Sequence, residues 1–317
     1  MFLDGLTTEA RELLLSAAEP VSFVRGATLY RHGEAADGAY VLRDGVAKAS
    51  IIAPGGDSFE VGFFSAGDLL GEIALVSSGT RSATVTAETL LDGWHVSRDD
   101  FHALVAQRGV AAVALQHGLA LSLARRLASV ASRAARLASG SDLPARTPLN
   151  SDPLRDVPRL RRPPFDVSGF LPKLPFFEGF SATEIDHAVS AGRYLDLPRG
   201  GVLVSPGLAS DSVLLVLRGA AEMLRPVPEG CRRVAVLGPG QPLGVTSHLL
   251  ASPHAGWVLA REASLLLEWP SASFQEILVS DSALGNRMRR ATHRYLAAAI
   301  GRANREIARL ALPTTAA

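Results

Sequence analysis

The feature that most limits what this chain can fold into is an internal duplication. Gly5, Gly26, Gly33, Asp37 and Gly45 recur as Gly179, Gly200, Gly207, Asp211 and Gly219, each 174 residues later. After a one-residue deletion the offset becomes 173, and Gly67, Gly71, Val85, Ala87 and Phe101 return as Gly240, Gly244, Val258, Ala260 and Phe274. A shared offset over that many positions means two copies of one domain. At 317 residues the chain is long enough for two such cores.

Within the first copy, glycines punctuate short apolar runs. Val21–Val24 reaches Gly26, Leu29-Tyr30 reaches Gly33, and Tyr40-Val41-Leu42 reaches Gly45. Runs of this length at intervals of about 8–12 residues predict an antiparallel sandwich or roll. Pro54-Gly55-Gly56-Asp57 predicts a hairpin between Ala47–Ile52 and Phe59–Phe64. From Asp99 the pattern turns helical and stays so to about Ser139. Leu123, Leu127, Val130, Ala134 and Leu137 follow a 4-3-4-3 spacing, repeated 173 residues later by Leu296, Ile300, Ala303, Ile307 and Leu310. Such seams predict helices that pair with a twin, the alternative being helices packed only on their own roll. Residues 140 to 175 hold eight prolines together with Arg155, Arg159, Arg161 and Arg162, which predicts a semi-stiff, solvated linker. The expected fold class is α+β, mainly β: two antiparallel, jelly-roll-like β-rolls, each followed by a long C-terminal helix. The expected boundaries are residues 1–139, a linker over 140–170, and residues 171–317.

The chemistry-bearing stretch is Gly67–Ala87, GDLLGEIALVSSGTRSATVTA. Its glycine turn feeds about one helical turn, and the unpaired N–H groups of such a turn can hold an anion. Arg81 adds a planar, permanently charged fork suited to two phosphate oxygens. Glu72 repels phosphate, so beside such a site it must accept a hydrogen bond from another part of the ligand. A ribose 2′-hydroxyl meets that need.

The run G-E-I-A-L, five residues of loop, then R-S-A-T-V resembles the phosphate-binding cassette of cyclic-nucleotide-binding domains, the family of the catabolite activator protein and of protein kinase regulatory subunits. The order G-x-x-L-Y-x-x-G, then D-x-x-Y-V-L-x-x-G, is similar to the β-roll of the same family, so the resemblance covers roughly residues 2 to 138. It implies that Glu72 takes the ribose 2′-hydroxyl and Arg81 the cyclic phosphate. Backbone amides around Ile73 and Ala74, with Ser82, complete the cradle, flanked by Gly71 and Ala83. Leu123-Ala124-Arg125-Arg126-Leu127 resembles the family's dimer helix, which also lids the base, and the matching lid positions fall near Ser129 and Ser132. The setting of Ser82 is closest to adenine-binding relatives. The implied ligand is therefore cyclic AMP, with cyclic GMP the alternative.

At the shared offset, Glu72 becomes Val245 and Arg81 becomes His254. Valine cannot accept the ribose hydroxyl, and a neutral imidazole offers one uncharged donor at most. Hydrogen bonds to charged groups contribute roughly 1.5–3 kcal/mol each, so the second site is expected to be weaker by several orders of magnitude. The first copy is expected to sense and the second to act as a structural or partner-facing domain.

Composition excludes other classes. The 32 basic and 31 acidic residues give a net charge of +1, without the excess of a dedicated nucleic-acid binder. Cys231 is the only cysteine, so neither a disulfide framework nor a cysteine metal cluster is expected. The eight histidines lack ligand or triad spacing. No secretion signal and no apolar run of about 18 residues is found. Arg305–Ala311 faintly resembles the first helix of a helix-turn-helix, but the seam explains Ile307 and Leu310, and no recognition helix follows. The expectation is thus a cytoplasmic, homodimeric receptor without metal, membrane segment or catalysis of its own, signalling to an unidentified protein effector. A Crp/Fnr-type transcription regulator and a non-binding dimeric scaffold are the alternatives.

Overall fold

The computed structural model describes residues 1–52, 58–138, 154, 157–228 and 230–310. In the first copy, α1 (Thr8–Ser16) is capped by the Thr7 hydroxyl, which accepts from the Ala10 amide at 3.2 Å. Eight strands follow: β1 (Glu19–Phe23), β2 (Thr28–Tyr30), β3 (Gly38–Asp44), β4 (Ala47–Ile52), β5 (Ser58–Phe64), β6 (Leu69–Leu70), β7 (Thr84–Ala87) and β8 (Leu91–Ser97). They form two antiparallel sheets, ordered β1-β8-β3-β6 and β2-β7-β4-β5. β4 shows the half-buried alternation that places Ala47, Ala49 and Ile51 inside. The strands predicted on either side of Pro54–Asp57 are present, while the turn itself lies outside the described residues.

The second copy repeats this plan. After β9 (Arg159–Leu160) come α4 (Ala182–Ser190), β10 (Arg193–Leu197), β11 (Val202–Val204), β12 (Ser212–Arg218), β13 (Ala221–Val227), β14 (Gly230–Leu237), β15 (Pro242–Leu243), α5 (Val245–Leu249), β16 (Trp257–Ala260) and β17 (Ser264–Pro270). Its sheets run β15-β12-β17-β10-β9 and β11-β16-β13-β14, the first copy's order with β9 added at one edge. The duplication extends to backbone irregularities. Register shifts at Leu42/Asp44 and Ala49/Ser50 recur at Val216/Arg218 and Met223/Leu224. A bulge re-aims a strand, so its recurrence marks the same corner of each roll.

Three expectations change. The helical region after each roll is broken rather than continuous: α2 (Arg98–Ala106) precedes α3 (Gly109–Ala138), and α6 (Ser271–Val279) precedes α7 (Ala283–Leu310). The first break falls where Arg108 and Gly109 both take positive φ, 61° and 88°, which no helix accommodates. The linker is not solvated throughout. Leu160 and Arg159 pair with Tyr194 and Leu195 of β10, and Arg159 reaches Glu268. Arg161 and Arg162 are exposed, as expected of a linker. The heptad stripes are also largely covered within one chain: Leu123, Val130, Ala134, Leu296, Ile300 and Ile307 are buried. Leu127, Ala303 and Leu310 are half-buried and Leu137 is exposed.

By compactness the chain divides into Met1–Val130 with the chain from Leu296 onward, and Ala131–Tyr295. Among the described residues no helix is long and apolar enough to cross a membrane.

Candidate functional site

The stretch Gly67–Ala87 folds as a turn, a short helix, a loop and a strand. Gly67 and Gly71 take φ of 85° and 74°, a region that side chains with a Cβ rarely enter. At Gly71 there is a second reason for glycine: a Cβ would run into the guanidinium of Arg81. The helix is a 3₁₀ turn, Glu72–Leu75, rather than an α-helical turn. The Ala74 amide closes that turn on the Gly71 carbonyl at 2.9 Å, so this N–H is already engaged. Ser82 is half-buried and Ala83 buried at the entry to β7.

Glu72 and Arg81, the two predicted ligand readers, are both inside the protein, 2% and 4% exposed. Arg81 Nη1 donates to the Gly38 carbonyl at 2.7 Å, and Nη2 donates to Asp37 Oδ1 at 2.5 Å. The guanidinium lies over the Tyr30 ring at 4.1 Å, and Tyr30 in turn stacks on Tyr40 at 6.0 Å. Its Nε has no hydrogen-bond partner. A buried guanidinium with an unused donor has capacity left for an anion. Glu72 Oε1 is likewise buried without a hydrogen bond, 3.4 Å from Arg126 Nε of α3. An incoming hydroxyl would give that oxygen the donor it lacks. Burial, and next the Glu72 carboxylate, hold the Tyr30 hydroxyl above its usual range, so it stays protonated and can donate.

Three contributors escape a reading of the sequence alone. Arg126 sits among seam residues on α3 and was absorbed into that pattern. Its guanidinium instead caps Glu72 and lies 4.8 Å from the Phe64 ring centre. Asp37 was visible only as a repeated position, yet it orients Arg81 and lies 4.0 Å from His95 Nε2. Tyr30 read as a strand residue. The one available signal for Arg126 is an arginine pair, Arg125-Arg126, inside an apolar heptad. Of the suggested lid residues, Ser129 is exposed and lines a hollow of about 200 Å³ with Phe64, Leu69, Arg126 and Val130. Ser132 is half-buried and belongs to the other compact unit.

In the second copy Gly244 keeps the left-handed turn, φ 81°, and Val245 opens α5 as a buried core residue. His254 is half-buried, and burial lowers its pKa, opposed by Asp211. Arg126 corresponds to Ala299 at the same offset, so Glu72, Arg81 and Arg126 are all replaced, while Asp37 is kept as Asp211. Among the described residues no cluster of three His, Cys, Asp or Glu side chains could hold a metal ion.

The family model of the cyclic nucleotide-binding domain matches residues 20–108 and 194–281, one match in each copy. A CRP-like cAMP-activated global transcriptional regulator of Mycobacterium tuberculosis is 28% identical over 104 residues, 33% of this chain and 46% of the relative. A cAMP-dependent protein kinase regulatory subunit of Colletotrichum orbiculare is 34% identical over 88 residues, 27% of this chain and 22% of the relative. The chain thus spans less than half the length of either. Among solved structures, the regulatory domain of Toxoplasma gondii PKA with cAMP aligns over 90% of this chain and 89% of that one, at 19% identity and a TM-score of 0.34. The Thermus thermophilus catabolite activator protein aligns over 44% of this chain and 67% of that one, at 25% identity and a TM-score of 0.36.

Proposed function

Because this chain belongs to the cyclic nucleotide-binding domain family, we propose that its first copy is a receptor for a cyclic nucleotide, cyclic AMP in preference to cyclic GMP. The observation that carries this is a pair of buried, oppositely charged side chains, each with an unused polar atom: Arg81 Nε and Glu72 Oε1. The cyclic phosphate binds Arg81, with Ser82 and the backbone of Ala83. The ribose 2′-hydroxyl donates to Glu72, and the turn of Gly71, Ile73 and Ala74 holds both charges at the right separation. Ser129, which lines the hollow beside Arg126, is the lid candidate for the base. The second copy, with Val245 and His254 at the two reading positions, does not bind the same ligand. The domain boundaries proposed are 1–139, 140–170 and 171–317.

Output comes through a protein effector rather than through chemistry of the chain itself, in a cytoplasmic setting. A ligand hydroxyl on Glu72 competes with Arg126, and Arg126 is part of α3. Binding therefore biases α3 by differential affinity for two of its positions. A homodimer through Leu123–Leu137 and Leu296–Leu310 would have to draw on their exposed and half-buried positions, because the other seam residues are covered in one chain.

Calorimetry of the full chain tests this. One molecule of cyclic AMP should bind per chain, and Arg81→Ala should weaken binding by about 10²–10⁴-fold, the loss of two charge-assisted hydrogen bonds. Two equal sites per chain, or an Arg81→Ala variant that folds and binds normally, would refute it. 5′-AMP should not raise the melting temperature, whereas cyclic AMP should.

A further inference from the structure

The second copy keeps a cavity where the first copy carries its charges. Tyr30, Asp37, Tyr40, Gly71, Arg81 and His95 correspond by the copy offsets to Val204, Asp211, Leu214, Gly244, His254 and Glu268. All six second-copy residues line one cavity of about 440 Å³. That volume falls within the roughly 300–1,000 Å³ usual for small-molecule sites. Its wall is mixed: Val204 and Leu214 replace the first copy's two tyrosines beside Leu203, Leu208 and Leu243, while Arg159, Asp211, Ser212, His254 and Glu268 make the rest of it polar.

The charges that remain cannot serve a phosphate. Arg159 Nε lies 3.2 Å from Glu268 Oε2, so the cavity's guanidinium is already neutralised by a carboxylate that is 8% exposed. Asp211 adds a second carboxylate at the rim. Burial keeps the His254 imidazole neutral near pH 7. Among the described lining residues, an entering anion would meet a guanidinium already paired with Glu268 and the uncompensated carboxylate of Asp211. An uncharged molecule escapes that repulsion, and hydrogen bonds to Ser212 and His254 offset the hydration its polar edge loses.

We propose that the second copy is itself a ligand site, built for an uncharged, amphipathic small molecule with an apolar side and a hydrogen-bonding side. Part of its wall comes from the segment ahead of the roll. Leu154 donates its amide to the Val202 carbonyl at 3.2 Å, and Arg159 enters the sheet through β9. Occupancy would therefore bear directly on how that segment is held against the second copy.

The test uses the full chain and the neutral fluorophore N-phenyl-1-naphthylamine. Saturable binding at one equivalent per chain is expected, undisturbed by saturating cyclic AMP. The anionic 8-anilinonaphthalene-1-sulfonate should bind at least tenfold more weakly. Ala209 and Leu208 are exposed residues of the cavity wall. Ala209→Trp should fill the mouth and weaken the neutral fluorophore tenfold or more, with circular dichroism unchanged. Should that variant misfold, Leu208→Asp places a charge at the same mouth and should have the same effect. Methyl NMR shifts at Val204, Leu214 and Leu243 on titration locate the site. Absence of saturable binding, displacement by cyclic AMP, or full affinity in a folded mouth variant would overturn the proposal. The first-copy site is scored separately by cyclic AMP calorimetry, so failure of one leaves the other readable.

Discussion

Replacing Arg126 with alanine should destabilise the first copy by about 3–5 kcal/mol, although the residue lies on a helix outside the cassette. Glu72 is 2% exposed, and Arg126 Nε stands 3.4 Å from its Oε1. At an effective dielectric constant near 20, unit charges at that separation attract by roughly 5 kcal/mol, which offsets much of the carboxylate's desolvation. Arg81 does not substitute, because its fork is directed at Asp37 and the Gly38 carbonyl. Truncation also removes the guanidinium from the Phe64 ring, worth about 0.5–2 kcal/mol. In Glu72→Gln/Arg126→Ala the uncompensated charge is gone, so the double variant should recover about 2–4 kcal/mol relative to additivity. The chain carries three tryptophans, and Trp94 is in β8 of the first copy while Trp257 and Trp269 are in the second. Urea unfolding followed by ¹⁹F NMR of 5-fluorotryptophan at Trp94 therefore reads the first copy alone. An Arg126→Ala loss below about 1 kcal/mol, or a coupling below about 0.5 kcal/mol, would show that other groups hold the carboxylate and refute the assigned pairing.

Gly71→Ala places a Cβ against the Arg81 guanidinium at a backbone φ of 74°. It should cost about 1–3 kcal/mol of stability and at least tenfold in cyclic AMP affinity; an unchanged melting curve and isotherm would contradict the close approach. The second copy should be acid-sensitive. Burial lowers the pKa of His254, opposed by Asp211, and of His248, opposed by a hydrogen bond with Gln275. In the unfolded chain both imidazoles take up a proton near pH ~6.5. The unfolded state then binds more protons, so stability is full above that pH and falls as pH drops below it. His248→Gln/His254→Gln should flatten the fall in urea midpoint between about pH 6.5 and 5, and an unaltered slope would rule out these two groups as its source.

The glycine corners and the paired readers were legible because their causes are local. A positive φ demands glycine wherever the roll turns, and the same demand recurs at Gly26/Gly200, Gly33/Gly207 and Gly45/Gly219. Glu72 sits on one turn and Arg81 in the loop before β7, close enough for spacing alone to suggest a shared ligand. Arg126 and Arg159 were not legible, because each is fixed by a partner far along the chain. Arg159 meets Glu268 109 residues away, and proline-rich composition says nothing about a two-residue strand at a sheet edge. The break at Arg108–Gly109 is hidden by helical propensity on both sides, since two left-handed residues interrupt the backbone without removing the apolar pattern around them.

The physical chemistry of buried charge also explains why the second copy differs at three positions together. Glu72, Arg81 and Arg126 of the first copy correspond to Val245, His254 and Ala299. Losing Arg126 alone would strand a buried carboxylate at a cost of several kcal/mol, a large fraction of a domain's stability. Losing Glu72 first leaves Arg126, 15% exposed, with a nearby route to solvent, and Val245 then joins the core at 1% exposure. The tolerable order is therefore the acid before its arginine. Once the carboxylate is gone, a phosphate site has lost the hydroxyl acceptor that oriented its ligand, and nothing opposes replacing the remaining cations. What is left is a roll with its glycine turns intact and, in its cassette cavity, a charged contact absent from the first copy, Arg159 with Glu268, supplied by the segment that precedes it.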